Sequence, residues 1–557
     1  MIGNHLAPLK KLLPFLLLGL LSLPTTAQTN YYVQAAGNDA PGAGSFANPF
    51  ATLDYAADQL APGDTLNVRA GTYANLDYQD GDYWKDEKTW SINNLHGTAA
   101  AWITLRPYAP EADEVVLRGD GQYIVQIRNS SYVHLTGFRI EGETENISLA
   151  LAEEYQFAYR LTENGPIEYR FPPGTPPSEI EGVDNLPLLP DAIRPSYFNT
   201  RGLIAQLSDH IRITNCHIRM MPGTGLRANT CSYVWVEGNE IENCSRRSYT
   251  GTHGLVFEQT QNFDNSTGTK MWIRRNHVHH NYNELFSWNP NKTFVTPVID
   301  EGKGISMQRN DASYGWTKGR IRIENNLCHH NGFSGVHSNN GRGIDIVNNT
   351  CVDNTVTQNG GNHGISLQRT TDARIFNNLS VTDFGNALSM TNSSDVTVRR
   401  NHAEGGLNAN LDAIDEQTTF GDPGFVGTGA HPYQLGPDSP ARDAAELATA
   451  APVDYFDQPR DGMPDVGCYE FGSVVSTAEL ERTEQLQVFP NPTAGRVQIT
   501  WSHLRPEAVS VYDARGRLVQ QRVVETSAAT ADVDLSELPA GMYFLRVGRS
   551  VVRVVRW

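Results

Sequence analysis

The sequence predicts an all-β fold built mainly as a solenoid of parallel strands. The main observation is an internal repeat, because seven eight-residue segments superimpose without gaps and each alternates apolar and polar residues before a polar turn. Their sixth positions lie 23, 37, 50, 23, 29 and 23 residues apart, which indicates a base period of 23 with insertions. The aligned segments are 211–218, 234–241, 271–278, 321–328, 344–351, 373–380 and 396–403. Period-2 alternation nested in a longer fixed period is what stacked coils of parallel strands require.

Two further features of the repeat support this prediction. A second strand follows each of the first six segments, beginning at Gly225, Gly254, Gly304, Gly335, Gly364 and Ala387. The sixth position is Cys216 in the first segment and Asn in the other six, which predicts a ladder of side-chain amides from coil to coil. Cys328 and Cys351 share an inward column, where we expect a buried thiol stack rather than a disulfide or a metal site.

Charge and cysteine content narrow the class of protein. Acidic residues outnumber basic ones 62 to 44, for a formal charge of -18, and the basic residues are scattered along the chain. We do not expect the protein to bind nucleic acid, because affinity for phosphates needs a cluster of basic residues. Six cysteines in 557 residues are too few for a disulfide scaffold.

The amino terminus predicts export. Lys10 and Lys11 precede the apolar run 12–23, and Thr25-Thr26-Ala27 supplies a small-residue cleavage site, so residues 1–27 are predicted to be a signal peptide. The run is too short to span a membrane, and no later stretch is long and apolar enough to do so. We therefore expect an exported chain without a transmembrane segment, and we expect it to be a monomer.

Motifs at both ends of the repetitive region indicate a family. The opening motifs are 31–39, 49–57 and 62–73, and the closing motifs are 422–425, 439–443 and 465–470. With the repeat between them, they resemble the right-handed parallel β-helix of the pectate-lyase superfamily, here over a domain at 28–472. The resemblance implies a short helix at about 49–60 that caps the first coil. It implies no single reaction, because lyases, hydrolases, epimerases and non-catalytic surface proteins share this scaffold.

The last part of the chain is predicted to be a separate unit after a polar linker at 473–486. Its landmarks, in order, are 488–493, 511–517, 538–544 and 551–556. They resemble the type A sorting domain of the type IX secretion system, here at 487–557. The resemblance implies a small β-sandwich that addresses the protein to the type IX secretion machinery, and therefore a secreted or cell-surface location.

Candidate functional residues line up beside the second strands. The residues before the leading Gly or Ala are Thr224, His253, Lys303, Ser334, His363 and Asn386, and the next outward column contains His337. Arg309 and Arg369 follow further along two of these strands. Because equal register in parallel coils means near-vertical alignment, we expect these cationic residues to share one solvent-facing strip. The two insertions in this region, 150–200 and 281–300, are also candidates for function.

A strip of this kind suits β-elimination on a uronic-acid polysaccharide, which requires a base and cations that neutralise the carboxylate. We therefore predict a polysaccharide lyase. The predicted catalytic residues are Lys303, Arg309, His337 and His363. The predicted substrate-binding residues are His253, Arg369, Arg342 and Trp288. Lyases of the superfamily commonly use a Lys or Arg base with calcium, so the resemblance implies Ca²⁺ held by Asp300 and Glu301. Crowding by Arg309 or by the ion is expected to make Lys303 a base.

Other interpretations stay open at this stage. Lys303 is alternatively an exposed, solvated lysine. His253-Gly254 and His363-Gly364 are faintly similar to the Gly-His-Gly of polygalacturonase-type hydrolases, although the paired Asp motifs of that family are not found. A non-catalytic carbohydrate-binding or surface-structural β-helix explains the repeats and the sorting domain equally well. For the doublets 279–280 and 329–330, polar turn stacking is favoured over metal binding.

Overall fold

The computed structural model describes most of the repetitive region and the strands of the C-terminal unit. The described residues are 28–76, 88–154, 159–162, 165–168, 196–248, 250–285, 299–357, 363–408, 414–426, 431–473, 487–489, 491–500, 508–513, 518–523, 530–547 and 550–557. The predicted signal peptide, linker residues 474–486, Trp288 and most of the two insertions lie outside them.

The repetitive region is a parallel β-helix, as the sequence predicts. Its 29 described strands belong to one continuous sheet, and the pairings between them are parallel.

The strands wind around three faces. The first face contains Asn30–Val33, Thr65–Val68, Ile103–Pro107, Ser131–Thr136, Asp209–Thr214, Ser232–Glu237, Thr269–Arg274, Arg320–Glu324, the second half of Ser334–Val347, Thr371–Phe376 and Ser394–Arg399. The second face contains Gly71–Asn75, Val115–Gly119, Arg139–Glu141, His217–Arg219, Glu240–Glu242, His277–His279, Leu327–His329, Thr350–Val352, the first part of Leu379–Thr391, His402–Asn408 and Thr419–Phe420. The third face contains Lys88–Asn93, Tyr123–Arg128, Arg201–Gln206, Leu226–Asn229, Leu255–Glu258, Ile305–Asn310, the first half of Ser334–Val347, His363–Gln368 and the second part of Leu379–Thr391.

The coil differs from the prediction in one respect. Each aligned segment was expected to be one strand and its turn, but the structure divides it into two strands on different faces, as in Arg320–Glu324 and Leu327–His329. The corner falls at the sixth position, where Asn326 is fully buried and its neighbour Asn325 adopts a φ of 54°. The apolar alternation continues past this corner, so the sequence pattern alone reads as a single strand.

The predicted asparagine ladder is confirmed. Asn326 donates from its Nδ2 to Asn349 Oδ1 at 2.9 Å, and Asn349 donates in the same way to Asn378 Oδ1 at 3.0 Å. A second ladder at the next corner joins Asn281, Asn331 and Asn354. These bonds satisfy buried backbone groups at both corners, which would otherwise lose their water without a replacement.

The interior of the β-helix is a continuous apolar core. It includes stacked Cys328 and Cys351, which pair in register as free buried thiols, as predicted. The capping helix is Leu53–Asp58, within the predicted range, and it accepts a hydrogen bond from buried Trp90 at the carbonyl of Leu53. Within the described residues, the other helical segments are Ala109–Glu114, Thr144–Asn146, Leu149–Glu154, Ser196–Asn199 and Ala312–Tyr314, and a hairpin pairs Tyr159–Thr162 with Gly165–Glu168.

The C-terminal unit is a small β-sandwich. One antiparallel sheet contains Gln487–Phe489, Arg496–Thr500 and Thr530–Asp534. The other contains Ala508–Asp513, Leu518–Val523, Gly541–Val547 and Ser550–Arg556. Ile499 of the first sheet and Val511 and Leu545 of the second belong to one apolar core, which confirms the predicted architecture.

Candidate active site

The third face brings four of the predicted residues together. One register position on four successive coils is occupied by His253, Lys303, Ser334 and His363. The N–H of Gly254 bonds to the Lys303 carbonyl, the N–H of Gly304 bonds to the Ser334 carbonyl, and Ser334 pairs in register with His363. The glycine that follows Lys303 is required by packing: a Cβ on Gly304 would lie 2.7 Å from Asn331 Nδ2 and 2.8 Å from the Gly335 carbonyl. Glycine here lets the coil pass close to the inner asparagine ladder while its neighbour points outward.

Lys303 is buried in an ion pair rather than exposed to solvent. Only 4% of the residue is accessible. Its Nζ lies 2.7 Å from the Asp300 carbonyl oxygen and 2.8 Å from Glu301 Oε2, and it sits 4.7 Å above the Phe333 ring centroid. The predicted solvent-facing strip is therefore wrong at this residue, because Phe333 and the segment before Lys303 cover it.

Three imidazoles surround this ion pair. His253 Nε2 lies 3.5 Å from Glu301 Oε2, on the side away from its Nδ1, which accepts a hydrogen bond from the Lys303 backbone N–H at 3.3 Å. His253 and His337 are 4% and 5% exposed, so the solvent-facing strip is wrong at these positions too. His337 Nδ1 lies 2.7 Å from Ser366 Oγ. We call His253, Glu301, Lys303, His337 and His363 the Lys–His cluster.

Burial keeps two of these imidazoles neutral. Loss of solvent and the nearby charge of Lys303 hold the pKa of His337 well below its ordinary value. The same two causes lower the pKa of His363 to about 4. His363 is the more accessible of the two, and its ring meets Phe333 edge to face with centroids 5.7 Å apart. At neutral pH the imidazoles of His337 and His363 are therefore uncharged and can accept a proton, beside the ion pair of Lys303 and Glu301.

Arginine side chains from neighbouring strands of the same face form a second group around Glu258. Arg227 and Arg309 both pair with Glu258, a buried carboxylate. Burial, together with the charges of Arg201 and Arg309, lowers the pKa of Arg227 to about 10. Among the described residues, the buried Nε–H groups of Arg201 and Arg227 find no hydrogen-bond partner. We call Arg201, Arg227, Glu258 and Arg309 the Arg cluster.

The two clusters are separate sites on one face. Lys303 precedes the strand Ile305–Asn310 and Arg309 lies near its end, so roughly 15 to 20 Å of extended chain separates them. Arg309 pairs with Glu258, and the prediction that it crowds Lys303 is wrong because the two residues lie at opposite ends of one strand.

The remaining predicted residues lie elsewhere. Arg369 is exposed at the turn after His363–Gln368, with a φ of 48°. Arg342 pairs with the first face and donates to the Thr317 carbonyl at 2.6 Å, so it does not line this site. Trp288 falls outside the described residues. The sequence analysis missed Glu258, whose signal was its outward position at the end of the strand Leu255–Glu258.

The described residues around Lys303 do not fit a calcium ion. Calcium takes six to eight oxygen ligands. Here the Glu301 carboxylate faces the ammonium of Lys303 and the ring of His253, and the Asp300 carbonyl accepts from the same ammonium. The ammonium of Lys303 already occupies the position that the calcium ion would take.

Comparison with known proteins identifies the C-terminal unit. Residues 487–556 match the family described as secretion system C-terminal sorting domain. The protein is therefore exported by the type IX secretion route to the cell surface or beyond. Across the described residues, the structure contains no helix with the length and hydropathy of a membrane span. No curated protein sequence matches the chain.

Several solved structures are distantly similar to the chain. A pectate lyase, Pel9A, is 16% identical, with 80% of this chain and 97% of that chain covered and a TM-score of 0.44. The GH136 lacto-N-biosidase from Eubacterium ramulus is 14% identical, with 69% and 58% covered and a TM-score of 0.34. PfbA, a surface adhesin of Streptococcus pneumoniae, is 11% identical, with 64% and 74% covered and a TM-score of 0.36. Enzymes and an adhesin thus appear together, and these likenesses do not decide the reaction.

Proposed function

We propose that the protein is a secreted carbohydrate-active enzyme and that it cleaves a uronate-containing polysaccharide by β-elimination at the Lys–His cluster. One observation carries this proposal: a buried ammonium, Lys303, lies in one cluster with imidazoles that burial keeps neutral. β-Elimination needs both kinds of group, since a cation must stabilise the charge that develops on the substrate carboxylate while a neutral base removes the neighbouring proton.

The contacts suggest a division of roles. Lys303 already forms an ion pair with the Glu301 carboxylate. We therefore assign its ammonium to stabilising the substrate carboxylate, and not to removing the proton. His363 is the more accessible neutral imidazole, and we assign it as the base. It takes the proton beside the carboxylate, the bond to the glycosidic oxygen breaks as the carbon–carbon double bond forms, and the imidazolium returns its proton to the leaving oxygen.

The Arg cluster supports an acidic substrate despite the net charge of -18. Two guanidinium groups, those of Arg227 and Arg309, pair with one buried carboxylate, Glu258, and the charge of Arg201 acts on Arg227, which leaves a local excess of positive charge. Buried N–H groups of Arg201 and Arg227 without a protein partner are donors that a second sugar carboxylate would satisfy. Arg309 lies roughly 15 to 20 Å of extended chain from Lys303, and Arg201 and Arg227 lie on earlier coils, so this cluster would bind a different residue of the same polysaccharide.

The test measures the ultraviolet absorbance of the unsaturated uronate product. The mature chain is incubated with pectate, alginate and glycosaminoglycan, each with calcium and with chelator. We expect absorbance to rise with at least one of them, and we expect Lys303→Met and His363→Gln to lower the rate by about 10²-fold or more, as for loss of an acid–base or charge-stabilising group. Lys318→Met and His134→Gln are the matched controls, because Lys318 is exposed and His134 lies on the first face.

Other outcomes would replace the proposal with a different function. Full activity in Lys303→Met would show that the Lys–His cluster is not the site. New reducing ends without absorbance would identify a hydrolase. Glycan binding without turnover in the wild-type chain would identify a binding module.

A further inference from the structure

A second group of histidines lies on a different face from the proposed active site. On the outer side of the second face, Glu240 pairs in register with His277, and Glu242 pairs with His279, which in turn pairs with His329. The side chains therefore stack from three successive coils. We call Glu240, His277, His279 and His329 the histidine cluster.

The nitrogen atoms of this cluster converge on one point. One ligand atom from each of His277, His279 and His329 lies within 4.8 Å of the others, and across the described residues these are the three side chains that meet in this way. His277 Nε2 lies 2.7 Å from His329 Nε2. Glu240 Oε1 lies 3.2 Å from His279 Nε2 and 3.8 Å from His277 Nδ1. Three imidazoles thus face a common centre, and the Glu240 carboxylate, in contact with His279 and near His277, lies beside them as a candidate fourth ligand.

A further layer of side chains orients these rings. His279 Nδ1 lies 2.8 Å from His280 Nδ1, and His329 Nδ1 lies 2.9 Å from His330 Nδ1. The Tyr433 hydroxyl reaches His330 Nδ1 at 3.5 Å. Because the outer nitrogen of each of these two ligands has a partner, the inner Nε2 is directed to the centre, which is the arrangement seen around protein-bound metals.

We propose that the histidine cluster binds one divalent transition-metal ion, and that Zn²⁺ fits it best. Three histidine nitrogens and a carboxylate oxygen are a tetrahedral donor set that zinc accepts at about 2.0 to 2.2 Å. Such bonds place neighbouring ligand nitrogens about 3.3 Å apart, so His277 and His329 need to separate by only about 0.6 Å from their 2.7 Å contact. That movement is within the reach of side-chain rotation.

The simpler alternative, polar stacking of the two His doublets, accounts for only part of the arrangement. His279 stacks on His329 with centroids 4.9 Å apart, and His280 stacks on His330 at 5.2 Å. Stacking of the doublets does not explain why His277, from the neighbouring column, turns its Nε2 toward His329 Nε2. A bound ion does explain it, and it would connect the three coils of Glu240–Glu242, His277–His279 and Leu327–His329.

The test is zinc binding to the mature full-length chain, purified without a polyhistidine tag and stripped with chelator. We expect calorimetry and elemental analysis to give one Zn²⁺ per chain, and Co²⁺ to give the visible absorption of a tetrahedral site. His329→Phe and His279→Phe keep an aromatic ring in the stack but remove a ligand, and we expect each to weaken binding by about 100-fold or more. His134→Phe, on the first face, is the matched control and should bind zinc as the wild type does.

Two results would overturn the proposal. The first is the absence of stoichiometric zinc binding to the wild-type chain, which does not depend on any variant. The second is unchanged affinity in His329→Phe or in Glu240→Gln, a variant of nearly identical shape whose folding is checked by circular dichroism. Neither readout uses polysaccharide, so the metal site is tested independently of the proposed lyase activity.

Discussion

Removal of one rung of the asparagine ladder should destabilise the β-helix strongly. In Asn349→Ala, the chain loses the bonds from Nδ2 to the Ile323 carbonyl at 2.9 Å and to Asn378 Oδ1 at 3.0 Å. It also loses the two bonds that Asn349 Oδ1 accepts from the backbone and side chain of Asn326. Each bond contributes about 1 kcal/mol, and the buried groups left unpaired add to the cost. We expect a loss of about 4 kcal/mol.

The assay is urea unfolding of the β-helix followed by circular dichroism, with the free energy of unfolding compared between variants. Asn265→Ala is the matched control, because Asn265 is exposed and accepts a hydrogen bond from Lys318 Nζ on the surface. We expect the control to change stability by less than about 0.5 kcal/mol. A loss of under about 1 kcal/mol in Asn349→Ala would refute the reasoning that the ladder stabilises the stack through satisfied buried groups.

Three further perturbations test other parts of the structure. Gly364→Ala places a Cβ 1.9 Å from Ser380 Oγ, so we expect the melting temperature of this variant to fall by several degrees. The double variant with Ser380→Ala should recover part of the loss. An unchanged melting temperature would contradict the close packing of Gly364 against Ser380. Glu258→Gln leaves Arg227 without its carboxylate, and we expect about 3 kcal/mol of destabilisation in urea, whereas a neutral effect would show that the pair is dispensable. The pKa of His363 lies near 4 in the folded chain, below its ordinary 6.5, so on acidification the unfolded chain takes up the proton first. The contribution of neutral His363 to the free energy of unfolding is therefore complete above pH 6.5, and it falls by up to about 1.4 kcal/mol per pH unit between pH 6.5 and pH 4. His363→Gln should flatten this slope, and an unchanged slope would assign the acid sensitivity to other groups.

The fold could be predicted because its determinants are local and repeated. Alternation specifies which side of a strand faces inward, and the fixed period specifies that coils stack. The second face was missed as a separate face because the ladder Asn turns the chain without interrupting the apolar pattern, as at Asn326. The second ladder was missed although its residues Asn281, Asn331 and Asn354 each lie five positions after a residue of the first ladder, namely Asn276, Asn326 and Asn349.

The site could be predicted only as far as register reaches. Equal register correctly placed His253, Lys303 and His363 in one column, since stacking depends on the repeat alone. Burial of that column depends on Phe333 and on the segment before Lys303, neither of which belongs to the repeat. The approach of side chains from two different columns, as in the histidine cluster, depends on rotamers that the sequence pattern does not contain.

The stack itself explains why this chain carries two such clusters. A given outward position recurs on every coil at about 4.8 Å, so polar residues at one register position meet without any specialised loop. Lys303 and His363 on the third face and His279 and His329 on the second face are both products of this rule. The inner ladders hold the register against slippage while the outer positions vary, because a slip of one residue would bury the polar side of a strand. Weakening a ladder should therefore displace both clusters together, whereas a substitution within one cluster should leave the other unchanged.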